Sequence, residues 1–232
     1  MKKYQFAPDG MKSGKAKKGL AAWLAAILAL LALGGCRLEF GDTYDDAPVV
    51  YETRIMSNLD ADGDIGFSPP ATYIVSSAAT TGSVLAGIDP VYGDEFRGFL
   101  DFELRGYQGV PYNAPVASAY LEVHIASVDE GFAGAGVPLL LDLVSFQPPN
   151  LIAGDFDRSN LQPLLSLPVT VESYDAGAVI IIDVTTLMIE AQRLDLPDFQ
   201  LRFLLDPFAA TGLVEIEDSV AETAPVLSVN YY

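Results

Sequence analysis

Asn58, Asp60, Asp62 and Asp64 put an oxygen-bearing side chain at every second position, and Gly63 among them permits a tight turn. Ca2+ takes about six to eight hard oxygen ligands, so this spacing suits it. Counted as an EF-hand loop from Asn58, Asp60, Asp62 and Gly63 fall where such a loop needs them. Its last position would be Pro69, where a bidentate Glu is required, so the run is not an EF-hand. Two readings stay open: a Ca2+ loop completed by distant carboxylates or carbonyls, and an Asx-rich turn between strands.

Other residues could do chemistry too. Asp101 and Glu103 stand two apart, which on a strand puts their side chains about 7 Å apart on one face. Paired carboxylates can hydrolyse glycosides, and they can equally be a solvated strand face with Arg105 beside them. His124 is the only histidine and Cys36 the only cysteine. That composition excludes thiol catalysis in the mature chain and ordinary zinc sites. Neither is there a G-x-S-x-G nucleophile elbow. No catalytic residue is therefore assigned. Tyr107, Tyr112, Tyr120 and Tyr174 could stack on sugar rings; tyrosines at sheet edges pack in the same way without a ligand.

The elements that position these residues are strands. Leu100, Phe102 and Leu104 alternate with Asp101, Glu103 and Arg105. Ala119, Leu121, Val123 and Ile125 alternate with Tyr120, Glu122 and His124, and Phe199, Leu201, Phe203 and Leu205 with Gln200, Arg202 and Asp206. Val214 and Ile216 alternate with Glu215 and Glu217, and Leu227, Val229 and Tyr231 close the chain. Period two predicts strands with one buried face, so Asp101, Glu103, Glu122, Glu215 and Glu217 are expected in solvent. Continuous apolar runs at 137–146 and 178–184 predict central strands. Weaker strand patterns lie at 49–55, 65–67, 72–76 and 84–88. One helix is expected over 186–193, capped by Thr185. About ten strands in so short a chain predict an all-β fold, a jelly-roll β-sandwich with one short helix. The apolar last strand should be paired inside a sheet.

The N-terminus has a different character. Lys12, Lys15, Lys17 and Lys18 precede an uncharged apolar run from Gly19 to Leu33, and Leu33-Gly34-Gly35-Cys36 follows. A basic segment, an apolar segment and small residues before a cleavage point are the parts of an export signal. The run is short of the ~20 residues that span a membrane. The tetrapeptide resembles the lipobox of bacterial lipoproteins. That resemblance implies cleavage after Gly35, lipidation of Cys36 and anchoring to the cell envelope. Arg37 after the cysteine resembles an outer-membrane address. The expected organisation is a signal at 1–35, the lipidated cysteine with a tether at 36–48, and a β-sandwich at 49–232. All six lysines lie within the signal, so the mature chain has seven arginines against 30 acidic residues. A charge of that sign argues against nucleic acid as a partner.

Four stretches in order resemble a DNRLRE-type jelly-roll module, a carbohydrate-binding-module-like family. They are Arg97-Gly98-Phe99-Leu100-Asp101-Phe102-Glu103-Leu104, the run from Ala114 to Val123, Asp183-Val184-Thr185, and Pro225-Val226-Leu227-Ser228-Val229. The resemblance covers residues 96–232. It implies a surface module, some members of which bind polysaccharides. The expectation is a non-catalytic, lipid-anchored envelope module that binds glycan or another envelope component, with Ca2+ as the one cofactor its loop could hold. Two alternatives stay open: a structural or adhesive envelope subunit with a protein partner, and a polysaccharide hydrolase or lyase.

Overall fold

A computed structural model describes residues 48–232 apart from positions 108, 132, 133, 135, 149 and 210. The expected signal, Cys36 and all but the last residue of the tether lie outside the described residues. The described chain is all-β and antiparallel throughout. Its strands are β1 (Tyr51–Met56), β2 (Gly63–Ser68), β3 (Thr72–Ser77), β4 (Ser83–Ile88), β5 (Glu95–Glu103) and β6 (Val116–Asp129). Then follow β7 (Val137–Val144), β8 (Leu165–Val171), β9 (Val179–Asp183), β10 (Asp198–Leu205), β11 (Gly212–Glu217) and β12 (Val226–Tyr231). A one-turn helix α1 (Ala78–Thr81) precedes β4, and α2 (Thr185–Arg193) joins β9 to β10.

The strand order is β1-β12-β6-β11-β4-β5-β10-β7-β8, with β2 on β5, β3 on β2 and β9 on β6. β6 is long enough to serve two layers. Its first part pairs with β12 and β9, its last part with β11. A register shift between Glu215 and Ile216 interrupts the pairing of β11 with β6, and such irregularities kink a strand locally. The sheet thus curls over one core. Leu100, Phe102, Leu121, Val123, Leu201, Phe203, Val214, Ile216, Leu227 and Val229 all lie in it, each buried as its alternation predicts. β12 sits between β1 and β6, so the apolar last strand is paired on both sides.

Several expectations need correction. Asp101 is buried at 2 % exposure, and Gln200 opposite it on β10 and Arg202 opposite Phe99 are buried too. The reason is a second cover. Ile65 of β2, with Phe146, Phe156 and Leu161 from the segment between β7 and β8, packs against Phe99 and Val144 on the outer face of the sheet. Around these residues both faces of β5 and β10 are covered, and polar alternation there does not mean solvent. Glu103 is exposed as expected, whereas Glu122, Glu215 and Glu217 are half-buried. β9 is an edge strand, not a central one: it pairs with β6 alone, and Val179 and Ile181 are exposed. β8 is not apparent in the sequence because Pro168 interrupts it; it too is an edge strand, where proline is tolerated. α2 begins at Thr185 with Val184 at its N-cap. The Thr185 hydroxyl does not cap the helix; it bridges to the backbone N–H and C=O of Ala119 on β6.

Candidate functional site

Three polar sites are built on this frame. The first is a cleft of about 580 Å³ where the end of β5 meets the loop after it and the C-terminal end of α2. That volume is in the range of small-molecule sites. Leu104, Val110, Met188 and Leu196 give it apolar walls, and Arg105, Tyr112, Gln192 and Asp195 add polar groups. The loop depends on close backbone approach. Val110 N–H donates to Leu104 O and Gly109 N–H to Gly106 O. A Cβ on Gly109 would sit 1.9 Å from Leu104 O, so no other residue fits there. Arg105 Nη2 donates to Asp195 O at 2.9 Å and to its Oδ1 at 2.5 Å. Gln192 is held by donation from its Nε2 to Ala114 O at 2.6 Å.

The second site is a chain of buried acidic groups. Asp62 and Asp218 are each 1 % exposed, and their carboxyls lie close enough to interact. Asp62 Oδ1 also accepts Asp101 N–H at 2.7 Å. Burial, then the facing Asp218 charge, holds the Asp62 carboxyl well above the usual carboxylate range. Burial pushes Asp218 up to about 6. The Oδ2 atoms of both, and Ser57 Oγ, have no hydrogen-bond partner among the described residues. Such orphan oxygens on two touching carboxyls fit one shared proton. Asp101 is raised as well, by burial, and its carboxylate is held by Gln200 Nε2 at 2.8 Å and Asn58 Nδ2 at 3.3 Å.

The third site is an ion pair sealed under the β7–β8 segment. Arg202 Nη2 donates to Asp142 Oδ2 at 2.8 Å, and both residues are fully buried. They stand directly opposite on β10 and β7. Arg158 and the Ser166 hydroxyl satisfy Asp142 Oδ1, and Arg202 Nη1 donates to Leu161 O and Asp155 O. Nearby, Arg97 lies 3.9 Å over the Phe156 ring and donates to Phe156 O.

The residues singled out in the sequence divide among these places. Asn58, Asp60, Asp62 and Asp64 do not converge on one point. Asn58 turns to Asp101, Asp60 is exposed, Asp62 meets Asp218, and Asp64 accepts the Leu85 N–H at 3.2 Å. Burial pushes Asp64 up to about 6. The backbone here is a turn, with Ala61 and Asp62 N–H groups both donating to Asn58 O. Among the described residues no group of three or more His, Cys, Asp or Glu side chains is placed to hold a metal ion. Tyr112 lines the cleft, Tyr107 projects fully from the same loop, and Tyr120 stands apart on β6. His124 is half-buried on β6 opposite Val179. Asp218, Gln192 and Asp195 carried no signal in the sequence. Each sits in a short polar stretch that reads as a turn or helix end, and its partner is distant in the chain.

No family model matches this chain. Among described residues no helix is long and apolar enough to cross a membrane. A stretch of 90 residues is 38 % identical to an adenylate kinase of Mycobacteroides abscessus. It covers 38 % of this chain and 48 % of the relative, so the chain spans about half the length of the protein it matches. This likeness contradicts the expectation of a non-catalytic envelope module that binds glycan or a protein partner, and with it the expectation that the chain is not an enzyme.

Proposed function

We propose that this chain handles a nucleoside-class ligand in the cleft between the β5 loop and α2. The observation that carries the reading is the cleft itself. Apolar walls at Leu104, Val110, Met188 and Leu196 suit the faces of a flat ring, and Tyr112 at the rim can stack on it. Arg105, Gln192 and Asp195 supply donors and acceptors for its polar edge. The partial likeness to an adenylate kinase supports adenine nucleotides as the first ligands to try. The chain holds no lysine after position 18, and no G-x-x-x-x-G-K-[ST] run occurs in it. A formal charge of −18 also repels bare phosphates. The proposal is therefore that the cleft recognises base and sugar, with any phosphates entering as their Mg2+ complex.

The test is calorimetric titration of the full chain with adenosine, AMP and Mg-ATP, alongside an assay of ADP formation from ATP and AMP. Binding that weakens about tenfold in Tyr112→Ala supports the reading. No binding of any of the three ends it.

We further propose that the chain is exported and anchored to the envelope through lipidated Cys36. The Leu33-Gly34-Gly35-Cys36 run supports this. Mass spectrometry of the native N-terminus should find an acylated cysteine, and Cys36→Ser should leave an unlipidated product. An unmodified cysteine or cleavage elsewhere overturns the anchor.

A further inference from the structure

Asp195 has φ +56, the one non-glycine residue at positive φ among the described residues. It follows the C-terminus of α2, where Asp195 N–H donates to Gln192 O and Leu196 N–H to Ala191 O. This is the position at which a helix terminates in a left-handed residue, and glycine is its usual occupant because a Cβ is strained there. A carboxylate at this end also faces the negative pole of the helix dipole. The dipole and, more mildly, the backbone thus both argue against aspartate, which tolerates the left-handed region better than most non-glycine residues. Arg105 offsets them in part, but that pair is about half exposed on both sides, and exposed pairs contribute little. A charged residue that the helix dipole disfavours, lining a cleft, is a reason to ask what its side chain does.

Asp195 lines the cleft together with Arg105 and with the apolar Leu104, Val110, Met188 and Leu196. Only Nη2 of Arg105 is used on Asp195; its Nη1 and Nε make no hydrogen bond among the described residues. The pair therefore offers a carboxylate that accepts two donors and, next to it, N–H groups that seek an acceptor. Neighbouring hydroxyls on one ring meet both demands, since each hydroxyl donates and accepts. A phosphate meets only the second and is repelled by the first.

We propose that Asp195 and Arg105 form a diol-reading pair that selects the vicinal hydroxyls of a ribose-like sugar. The inference rests on the nucleoside reading of the cleft and names the part of the ligand that confers selectivity. Asp195 accepts from the diol, Arg105 donates to it and holds Asp195 in place, and the base lies against Leu104 and Met188.

The experiment compares adenosine with 2′,3′-dideoxyadenosine on the full chain, by calorimetry and by thermal melting. The wild type should bind adenosine at least tenfold more tightly. Asp195→Asn and Asp195→Gly should lose that preference while melting no lower than the wild type, because each removes the unfavourable charge and glycine also relieves the backbone. A residue that merely ended the helix would leave the preference for adenosine intact in both variants, whatever their melting temperatures, and that result overturns the proposal. Equal binding of both nucleosides by the wild type overturns the diol assignment and leaves the cleft reading standing. Binding of neither removes the cleft reading and this inference with it.

Discussion

Two buried polar sites on the same sheet solve the same problem in opposite ways. Asp142 is fully buried with Arg202 across from it, and Arg158 and Ser166 complete its hydrogen bonds. Asp62 and Asp218 are as deeply buried and have no cation paired with either among the described residues. Their compensation is a proton. An ion pair fixes its charge balance at any ordinary pH, since guanidinium does not titrate there. A shared proton fixes it only while the solution supplies one. The comparison teaches that burial alone does not say whether an aspartate anchors the fold or responds to pH; its nearest partner decides.

The largest expected effect comes from removing the cation. Arg202→Met leaves Asp142 buried with only Arg158, itself half-buried, to balance it. The expected loss is about 3–5 kcal/mol, as for other buried pairs broken from one side. Urea unfolding at pH 7 measures it. A loss under about 1 kcal/mol would show that the site is not a sealed ion pair, and the contrast between the two sites would collapse.

At the acidic pair the opposite sign is expected. The folded carboxyls keep a proton that the unfolded chain releases, with Asp218 raised from 3.8 to about 6 and Asp62 raised well above 3.8. Stability from this pair is therefore complete below about pH 4 and falls as pH rises through about 6. Asp218→Asn sets a neutral amide beside Asp62 and removes the charge. It should stabilise the protein at pH 8 by about 1–3 kcal/mol, since one pKa unit is worth about 1.4 kcal/mol, and should flatten the decline between pH 4 and 7. Melting curves across that range for both proteins check it. An Asp218→Asn variant that is less stable at pH 8 would show that the carboxylate is needed in its charged form.

The smallest effect sharpens the comparison from outside. Arg54 donates to both oxygens of Glu122 at 2.7 and 2.9 Å, a better-formed pair than Arg158–Asp142, yet the Arg54 side chain is 52 % exposed. Arg54→Ala should cost no more than about 1 kcal/mol, and less in high salt. A loss close to that of Arg202→Met would mean that geometry outweighs burial here.

Much of the fold was legible in the residues. Alternation along 96–105, 119–125, 199–205 and 214–217 identified which side chains face the core, and those side chains are buried. Period two fixes which residues share a face; it carries nothing about what covers that face. The outer side of β5 and β10 looked solvated because its residues are Asp101, Gln200 and Arg202, and the segment that buries them lies elsewhere in the chain. The strand at 165–171 stayed hidden for a local reason, since Pro168 contradicts a strand pattern until its edge position is known.

The sequence by itself determined the all-β class, the core-facing set and the short helix before β10, because each follows from local spacing and from the cost of wetting apolar side chains. Tertiary structure alone decided that Asp62 meets Asp218, that Arg202 stands opposite Asp142, and that Arg105 reaches Asp195 beside a cleft. Each of those pairs joins residues far apart in the chain. Their protonation, strain and selectivity depend on distances of a few ångströms, which the sheet's register and the covering loops set and which no local pattern encodes.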